Sequence, residues 1–337
     1  MKICLIGEFS GTPDEGMKKI SRTIADRLAL KHEVLELNTK DVRKVDVIRE
    51  LKKFSPQVVH YLHGPTIRSL FLLKGIKALI NNCKVVVSAT RPYFSEYSRW
   101  AIRFLKPDLI LTQSEKFESF FKTRGCAVSF LPNGVDCDQF SPVDEHEKLK
   151  IRRELDLPED KKIVLHVGHI KRNRQLHVFQ KIQEIDSVQV VIVGGTAQKT
   201  DEKIKVSMER AGVRIFHKYF KDVSIIYKSA DMYIFPIQDT GNQLPDAYNQ
   251  VGAIDLPLSV MEAMACNLPV ITTRFGALPR LFEPGDGFFY AEDDSKIVSL
   301  VQSISDNTAC NTREKVLPYG WDAIVSMIES EYQKLLE

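Results

Sequence analysis

Asp255-Leu256-Pro257-Leu258-Ser259-Val260-Met261-Glu262-Ala263-Met264-Ala265-Cys266-Asn267-Leu268-Pro269-Val270-Ile271-Thr272-Thr273 reads as a loop, a short helix carrying one carboxylate, a tight stop and a buried strand. Pro257 and Ser259 are residue types that start helices, and Ser259-x-x-Glu262 has the spacing of a capping box. Asn267 suits a left-handed stop, Pro269 blocks continuation, and the run from Val270 to Thr273 is β-branched. The N-terminus of such a helix offers N–H groups without acceptors and a positive dipole end, which suits a phosphate. Two readings stay open for Glu262 on its first turns: it accepts bonds from sugar hydroxyls beside that phosphate, or it caps its own helix.

The same alternation extends outward from this stretch. Strands are expected at Lys2–Ile6, Glu33–Leu37, Gln57–Leu62, Lys84–Ala89, Asp108–Thr112 and Ala127–Leu131. A second set follows at Ile163–Val167, Val188–Val193, Arg214–Phe216, Met232–Phe235, Pro269–Thr272 and Gly287–Tyr290. Helical periodicity lies between them, as in Gly16–Leu30 with an apolar face at Ile20, Ile24 and Leu28. Near-continuous apolar strands separated by helices predict parallel sheets covered on both faces. At 337 residues the chain exceeds one ordinary core. The expectation is therefore an α/β protein of two doubly wound domains. Pro132–Glu147 gathers Pro, Gly and Asp without periodicity and carries the boundary. This gives an N-terminal domain over 1–147, a C-terminal domain over 148–318 and a final amphipathic helix within 319–337. The polar stretch Ile237–Ala253, with Gly241, Pro245 and Gly252, reads as a loop over the site.

Composition is that of a globular protein with balanced charge. No apolar run approaches the roughly 20 residues that span a bilayer. Met1-Lys2-Ile3-Cys4-Leu5-Ile6-Gly7 reads directly as a strand, so no leader is expected. The six cysteines are scattered singly, which suits reduced packing residues in a cytoplasmic protein and neither a disulfide framework nor a zinc site. The net charge of +3 conceals an asymmetry, since residues 51–124 hold 13 Lys/Arg against 4 Asp/Glu. Such a basic half suits an anionic surface or an anionic substrate. Within it, Arg99-Trp100-Ala101-Ile102-Arg103-Phe104-Leu105-Lys106 mixes cations with large apolar groups on a helix. Two readings stay open there: a helix packed through Trp100 and Phe104 with its cations in solvent, or a peripheral contact on the inner face of a membrane.

Loops at strand carboxyl ends carry the ligand site in open α/β sheets. Gly168-His169-Ile170-Lys171-Arg172-Asn173-Arg174 is such a loop, and its cations either neutralise a diphosphate or form a solvated basic turn. Gly7 to Gly16 is another, but its glycine spacing is not that of a dinucleotide fingerprint, so no nicotinamide cofactor is expected. His63 ends a strand and is either a polar ligand group or a partly buried structural histidine. Asp136-Cys137-Asp138 sits in the boundary loop and reads as a turn. His166 and His169 lack a third ligand, and no metal is expected. Hydrolase and nucleoside-triphosphatase motifs are missing.

Together these pieces resemble the family 4 glycosyltransferases, retaining enzymes of the GT-B fold. The carriers are the glycine loop through Gly16, Pro132-Asn133-Gly134-Val135-Asp136 with Phe140, and the Gly168–Arg174 loop. Gly194-Gly195, Ala230-Asp231, Glu262-Ala263-Met264-Ala265, Pro269-Val270 and Tyr319-Gly320-Trp321-Asp322 complete the set. The match covers nearly the whole chain and implies two Rossmann-like domains facing a central cleft, with the last helix crossing back to the first domain.

The resemblance further implies a metal-independent transfer of a sugar from a nucleoside-diphosphate sugar to an acceptor hydroxyl, without a cofactor. The donor is expected at Gly16, His169, Arg172, Arg174, Leu258, Ser259 and Glu262. Arg174 and Arg172 would stabilise the leaving diphosphate, and Glu262 would hold the ribose. The acceptor, a glycan, a lipid-linked molecule or a small molecule, is expected near His63, Thr90 and Arg91. No nucleic-acid partner is expected. Two positions depart from the family pattern. Ile254 stands where the family's first acid is usual, with Asp255 next to it as the substitute. Val87-Ser88-Ala89-Thr90-Arg91 stands where a histidine is usual. These departures keep two alternatives alive, a non-catalytic sugar-nucleotide-binding subunit and a nucleotide-sugar epimerase.

Overall fold

The structure, a computed structural model, describes residues 1–11, 16–42, 44–90, 92–195, 200–238, 254–305 and 308–337, with 96 and 97 through their backbone alone. The loop expected over 237–253 therefore lies outside the described residues beyond 238, as does Arg91.

The first six strands are β1 Lys2–Gly7, β2 Glu33–Asn38, β3 Val58–Tyr61, β4 Lys84–Ala89, β5 Leu109–Thr112 and β6 Val128–Phe130. They form one parallel sheet in the order β2-β1-β3-β4-β5-β6. The second six are β7 Lys162–Val167, β8 Val188–Val193, β9 Arg214–Phe216, β10 Met232–Phe235, β11 Val270–Thr272 and β12 Phe288–Tyr290. These form a second parallel sheet in the order β12-β11-β10-β7-β8-β9. Every strand falls within a residue of where its apolar run placed it. The inner strands are apolar along most of their length because they are buried on both faces, whereas the edge strand β2 buries only Leu37 and exposes Glu33 and Glu36. In β4, residues 85–89 are all buried, and in β8 the same holds for residues 190–193.

The described residues group into two compact units, one of 1–134, 254–256 and 321–337, the other of 135–238 and 257–320. In the first unit, Ile20, Ile24 and Leu28 of helix Gly16–Ala29 are buried as the periodicity requires. The final helix, Trp321–Leu336, packs beside it. Arg27 pairs with Asp322, and His32 Nε2 lies 2.8 Å from a Glu329 oxygen. The Tyr332 hydroxyl meets His60 Nδ1 at 2.5 Å inside the core, and His60 Nε2 meets Ser88 Oγ at 2.8 Å. Burial pulls the His60 pKa from its ordinary 6.5 down to about 3, so this imidazole is neutral. Gly134 is needed for packing, since a Cβ there would collide with the Trp321 indole.

In the second unit, Asp136 Oδ1 accepts from the N–H groups of Asp138 and Gln139 at 3.1 and 2.9 Å, an Asx turn as expected of that aspartate. Asp231 anchors the start of two strands. It accepts from Ile163 N–H at 2.7 Å and from the Arg152 guanidinium at 2.5 Å.

Two local readings are corrected. The helix expected over Arg99–Lys106 is a 3-10 helix over Glu96–Phe104. The capping box at Ser259 does not form: the helix runs Leu258–Ala265 with Pro257 at the N-cap, which places Ser259 inside it. Proline's fixed φ and missing N–H suit a helix start, so it displaces the serine. The stop is as read, with Asn267 left-handed at φ 58°. No described helix is long and apolar enough to cross a membrane.

Candidate functional site

A doubly wound sheet has one place where neighbouring strands send their following connections to opposite faces, and ligands bind outside the carboxyl ends of those strands. In the second unit that place lies between β7 and β10, which are neighbours although two strands intervene in the chain. Gly168–Arg174 follows β7, and the connection after β10 leads to helix Leu258–Ala265. The two stretches singled out by sequence thus meet at one switch point.

At the end of β7, His166 is buried and 2.9 Å from the Ile234 carbonyl, to which Nδ1 donates. The ring stacks near Phe179 and Tyr233, with centroids 5.2 and 6.4 Å away. Burial, with Arg174 nearby as a lesser cause, pulls its pKa down to about 4. His166 is thus a neutral structural residue, and a Cβ on Gly168 would lie 2.9 Å from its Nε2. The chain then makes the 3-10 turn Arg172–Arg174 and bends at Gln175, whose φ is 53°. This turn separates the two arginines: Arg174 is buried, 6% exposed, whereas Arg172 stands in solvent. His169 is half-buried.

Across the switch point, Glu262 is 7% exposed and accepts a 2.8 Å bond from the Tyr227 hydroxyl. Burial, and then the charge of Glu262, push the Tyr227 pKa well up, so the phenol remains a donor. The Tyr233 hydroxyl donates to Ser259 Oγ at 2.7 Å. Burial raises its pKa; Glu262 adds to that rise and Arg174 opposes it, so Tyr233 senses both charged residues. Leu258 and Ser259 lie in the first turn, whose N–H groups have no acceptor within the helix. This arrangement offers a buried carboxylate for hydroxyl donors, a buried guanidinium, and backbone donors for an anion.

In the first unit the switch lies between β1 and β3. Gly7 ends β1 and Gly16 opens helix Gly16–Ala29. After β3 comes His63, whose Nδ1 is 3.6 Å from a Glu8 carboxylate oxygen at the end of β1. Thr90 is buried and its hydroxyl donates to Met17 Sδ at 3.4 Å, in the first turn of that helix. Asp255 belongs with this unit and accepts from Ser114 Oγ at 2.7 Å. Asn133 donates to the Leu256 carbonyl at 2.8 Å and tethers the same segment. Asp255 and Glu262 are therefore held by different units despite their closeness in sequence.

Sequence reasoning missed Tyr227, Tyr233, Ser114 and Glu8. The tyrosines sit in apolar runs that read as core, and nothing at a separation of 35 residues announces the bond to Glu262. Glu8 had a usable signal, because it directly follows a strand at a sheet switch point. Among the described residues, no three His, Cys, Asp or Glu side chains stand together as a metal-binding group.

Comparison with known proteins places this geometry in context. The family model for glycosyl transferases group 1 matches residues 147–320. The chain is 24% identical over 313 residues to the sulfoquinovosyl transferase SQD2 of Arabidopsis thaliana, covering 85% of this chain and 58% of that protein. It is 26% identical over 175 residues to a D-inositol 3-phosphate glycosyltransferase of Corynebacterium jeikeium, covering 48% of this chain and 38% of that one. The chain thus matches well under two thirds of the length of these curated relatives. The crystal structure of HepE from Anabaena, in complex with UDP and glucose, superposes with a TM-score of 0.75 at 14% identity, covering 99% of this chain and 100% of that one. At that identity the likeness concerns the fold.

Proposed function

The chain belongs to the group 1 glycosyl transferases, a family 4 member with the GT-B fold, and from that premise we propose that it is a retaining glycosyltransferase. It moves a sugar from a nucleoside-diphosphate sugar to an acceptor hydroxyl and needs neither metal nor cofactor. The observation that carries this reading is that, at one sheet switch point, a buried Glu262 carboxylate and a buried Arg174 guanidinium both bear on Tyr233. The relative solved with UDP supports a uridine-type donor.

In this mechanism Glu262, oriented by Tyr227, accepts the ribose hydroxyls. Leu258 and Ser259 N–H groups, with Gly16 and His169, hold the diphosphate. Arg174 stabilises the charge that develops on the diphosphate as the glycosidic bond breaks, and Arg172 assists from solvent. The acceptor attacks on the face the diphosphate leaves, and the departing phosphate oxygen takes the acceptor's proton. The protein's contribution is then positioning and charge stabilisation, and no side chain forms a covalent intermediate. Asp255 orients the donor sugar, while His63, backed by Glu8, together with Thr90 and Arg91 addresses the acceptor. A lipid-linked acceptor accords with the basic first half and implies a peripheral contact with a membrane surface from the cytoplasmic side.

Calorimetry with a panel of nucleoside diphosphates tests the donor site. One should bind, and Glu262→Gln should weaken it about tenfold, the loss of a charge-assisted hydrogen bond. Wild-type affinity in that variant would return Glu262 to a purely structural role. Donor binding without transfer to any acceptor would instead favour a non-catalytic binding subunit, a reading that Ile254 motivates. Sugar interconversion without acceptor would mark an epimerase.

A further inference from the structure

Away from the strand ends, the first unit contains a cavity of about 450 Å³ between helix Ile67–Leu79 and the segment 103–107 that leads into β5. That volume lies in the usual range for small-ligand pockets, roughly 300–1,000 Å³. Its floor is apolar, with Leu70, Leu73 and Val85, and its rim carries Lys74, Lys77, Arg103 and Lys106. The acid beside them among the described residues, Asp108, is already engaged: it pairs with Lys77 at 2.5 Å and accepts from Val85 N–H at 2.7 Å. Lys74 directs one N–H to the Phe104 carbonyl at 2.7 Å. Arg103 and Lys106 form no ion pair with any described residue. Arg99 and Arg103 also bear on Arg124, whose pKa is lowered by burial first and by these cations after it. Around Arg103 and Lys106, like charges are thus collected with too few acids among the described residues to balance them, which repels and favours an anion.

The same face exposes large rings. Phe71 is 70% exposed, and Trp100 and Phe104 are each 60% exposed. Trp100 and Phe104 meet edge to face with centroids 5.9 Å apart, and Phe71 lies one helical turn before Lys74. Single exposed apolar side chains are ordinary. A cluster of rings around a cationic pocket is not, because a free anion would need the cations only and the rings would gain nothing from water. A bilayer interface uses both, with rings at the boundary of headgroups and acyl chains and cations at the phosphates.

We propose that this face docks on an anionic lipid bilayer, with a lipid phosphate seated in the cavity and Phe71, Trp100 and Phe104 entering the interface. This deepens the peripheral-contact reading above and rests on it alone. Its failure leaves the donor chemistry untouched, since that is read separately by nucleotide calorimetry.

Sedimentation of the full chain with vesicles tests the proposal. Vesicles of phosphatidylcholine containing phosphatidylglycerol should bind it at low salt and release much of it at high salt. Pure phosphatidylcholine should bind it poorly. Each cation near the surface contributes about fivefold to partitioning, so Arg103→Gln with Lys106→Gln should reduce it about 25-fold. Trp100→Ser with Phe104→Ser should remove the binding that survives high salt. All four substituted side chains lie on the surface, and both double variants should keep wild-type unfolding temperature and nucleotide affinity. Absence of binding to anionic vesicles at low salt overturns the proposal. So does equal binding to neutral vesicles, or unchanged partitioning of the Arg103/Lys106 variant. Inorganic phosphate and glycerol 3-phosphate form the last arm. If either raises the unfolding temperature yet leaves vesicle binding unchanged at saturating concentration, the cavity holds a free anion while the bilayer is bound elsewhere, and the assignment of the lipid phosphate to the cavity falls.

Discussion

Arg172 and Arg174 stand two residues apart in one basic turn and meet opposite environments. A 3-10 turn directs residues two apart to different sides, so Arg172 faces solvent while Arg174 is buried. Spacing alone gives no way to rank them; the ranking comes from the direction of the turn. Under the proposed mechanism, the desolvated guanidinium stabilises leaving-group charge far more than the hydrated one. Arg174→Ala should therefore cost about 2–4 kcal/mol of transition-state stabilisation, roughly 30- to 1,000-fold in kcat/KM. Arg172→Ala should cost less than about tenfold. Steady-state kinetics with both variants decides, and equal losses would move the phosphate contact to the exposed residue. Glu262 teaches the same lesson from the other side. Its position after a helix start was legible, but the Ser259-x-x-Glu262 spacing suggested a cap that Pro257 displaces. The residues that hold Glu262 and Ser259, Tyr227 and Tyr233, come from an earlier helix and strand that only tertiary packing brings alongside.

Strands were readable because burial on both faces leaves little room for polar residues, as in Lys162–Val167 and Val188–Val193. Less readable was what pins their starts. Each unit uses an aspartate just before a strand for this purpose. Asp108 N–H donates to the Val85 carbonyl at 2.9 Å and its carboxylate accepts from Val85 N–H at 2.7 Å. Asp231 does the same with Ile163, at 3.0 and 2.7 Å. The two differ in their cations. Lys77 beside Asp108 is well exposed, whereas Arg152 beside Asp231 is buried and also donates to the Ser229 carbonyl at 2.9 Å. Removing an acid from an exposed pair costs little, but a buried guanidinium left without its acid is expensive. Asp231→Ala should thus destabilise the protein by about 3 kcal/mol and Asp108→Ala by about 1–2 kcal/mol. Thermal unfolding of both variants checks this, and equal shifts would show that burial of Arg152 does not set the difference.

At the scale of the whole molecule, periodicity reveals that two parallel sheets exist but not which strands adjoin, since strand order depends on long crossovers. Nor does it show that residues 254–256 group with 1–134 and 321–337; that grouping rests on contacts such as Asn133 to Leu256 and Gly134 to Trp321. One consequence belongs to both units together, because each buries a histidine beneath its sheet's switch region. His60 on β3 and His166 on β7 have pKa values lowered by burial to about 3 and about 4 from an ordinary 6.5. In the unfolded chain each takes up a proton as pH falls through 6.5, while the folded protein resists until pH 3 to 4. The unfolded state therefore binds more protons throughout that window, and stability present above pH 6.5 is lost as pH falls. Between pH 7 and pH 5, where few carboxylates titrate, each histidine should remove about 2 kcal/mol. Urea unfolding at the two pH values measures the loss. His60→Asn, able to retain one of the bonds to Tyr332 or Ser88, should be less stable than the parent at pH 7 yet lose about 2 kcal/mol less on acidification. An identical pH gap in parent and variant would mean that His60 already carries its proton in the folded state, and that the Tyr332 hydroxyl accepts from it.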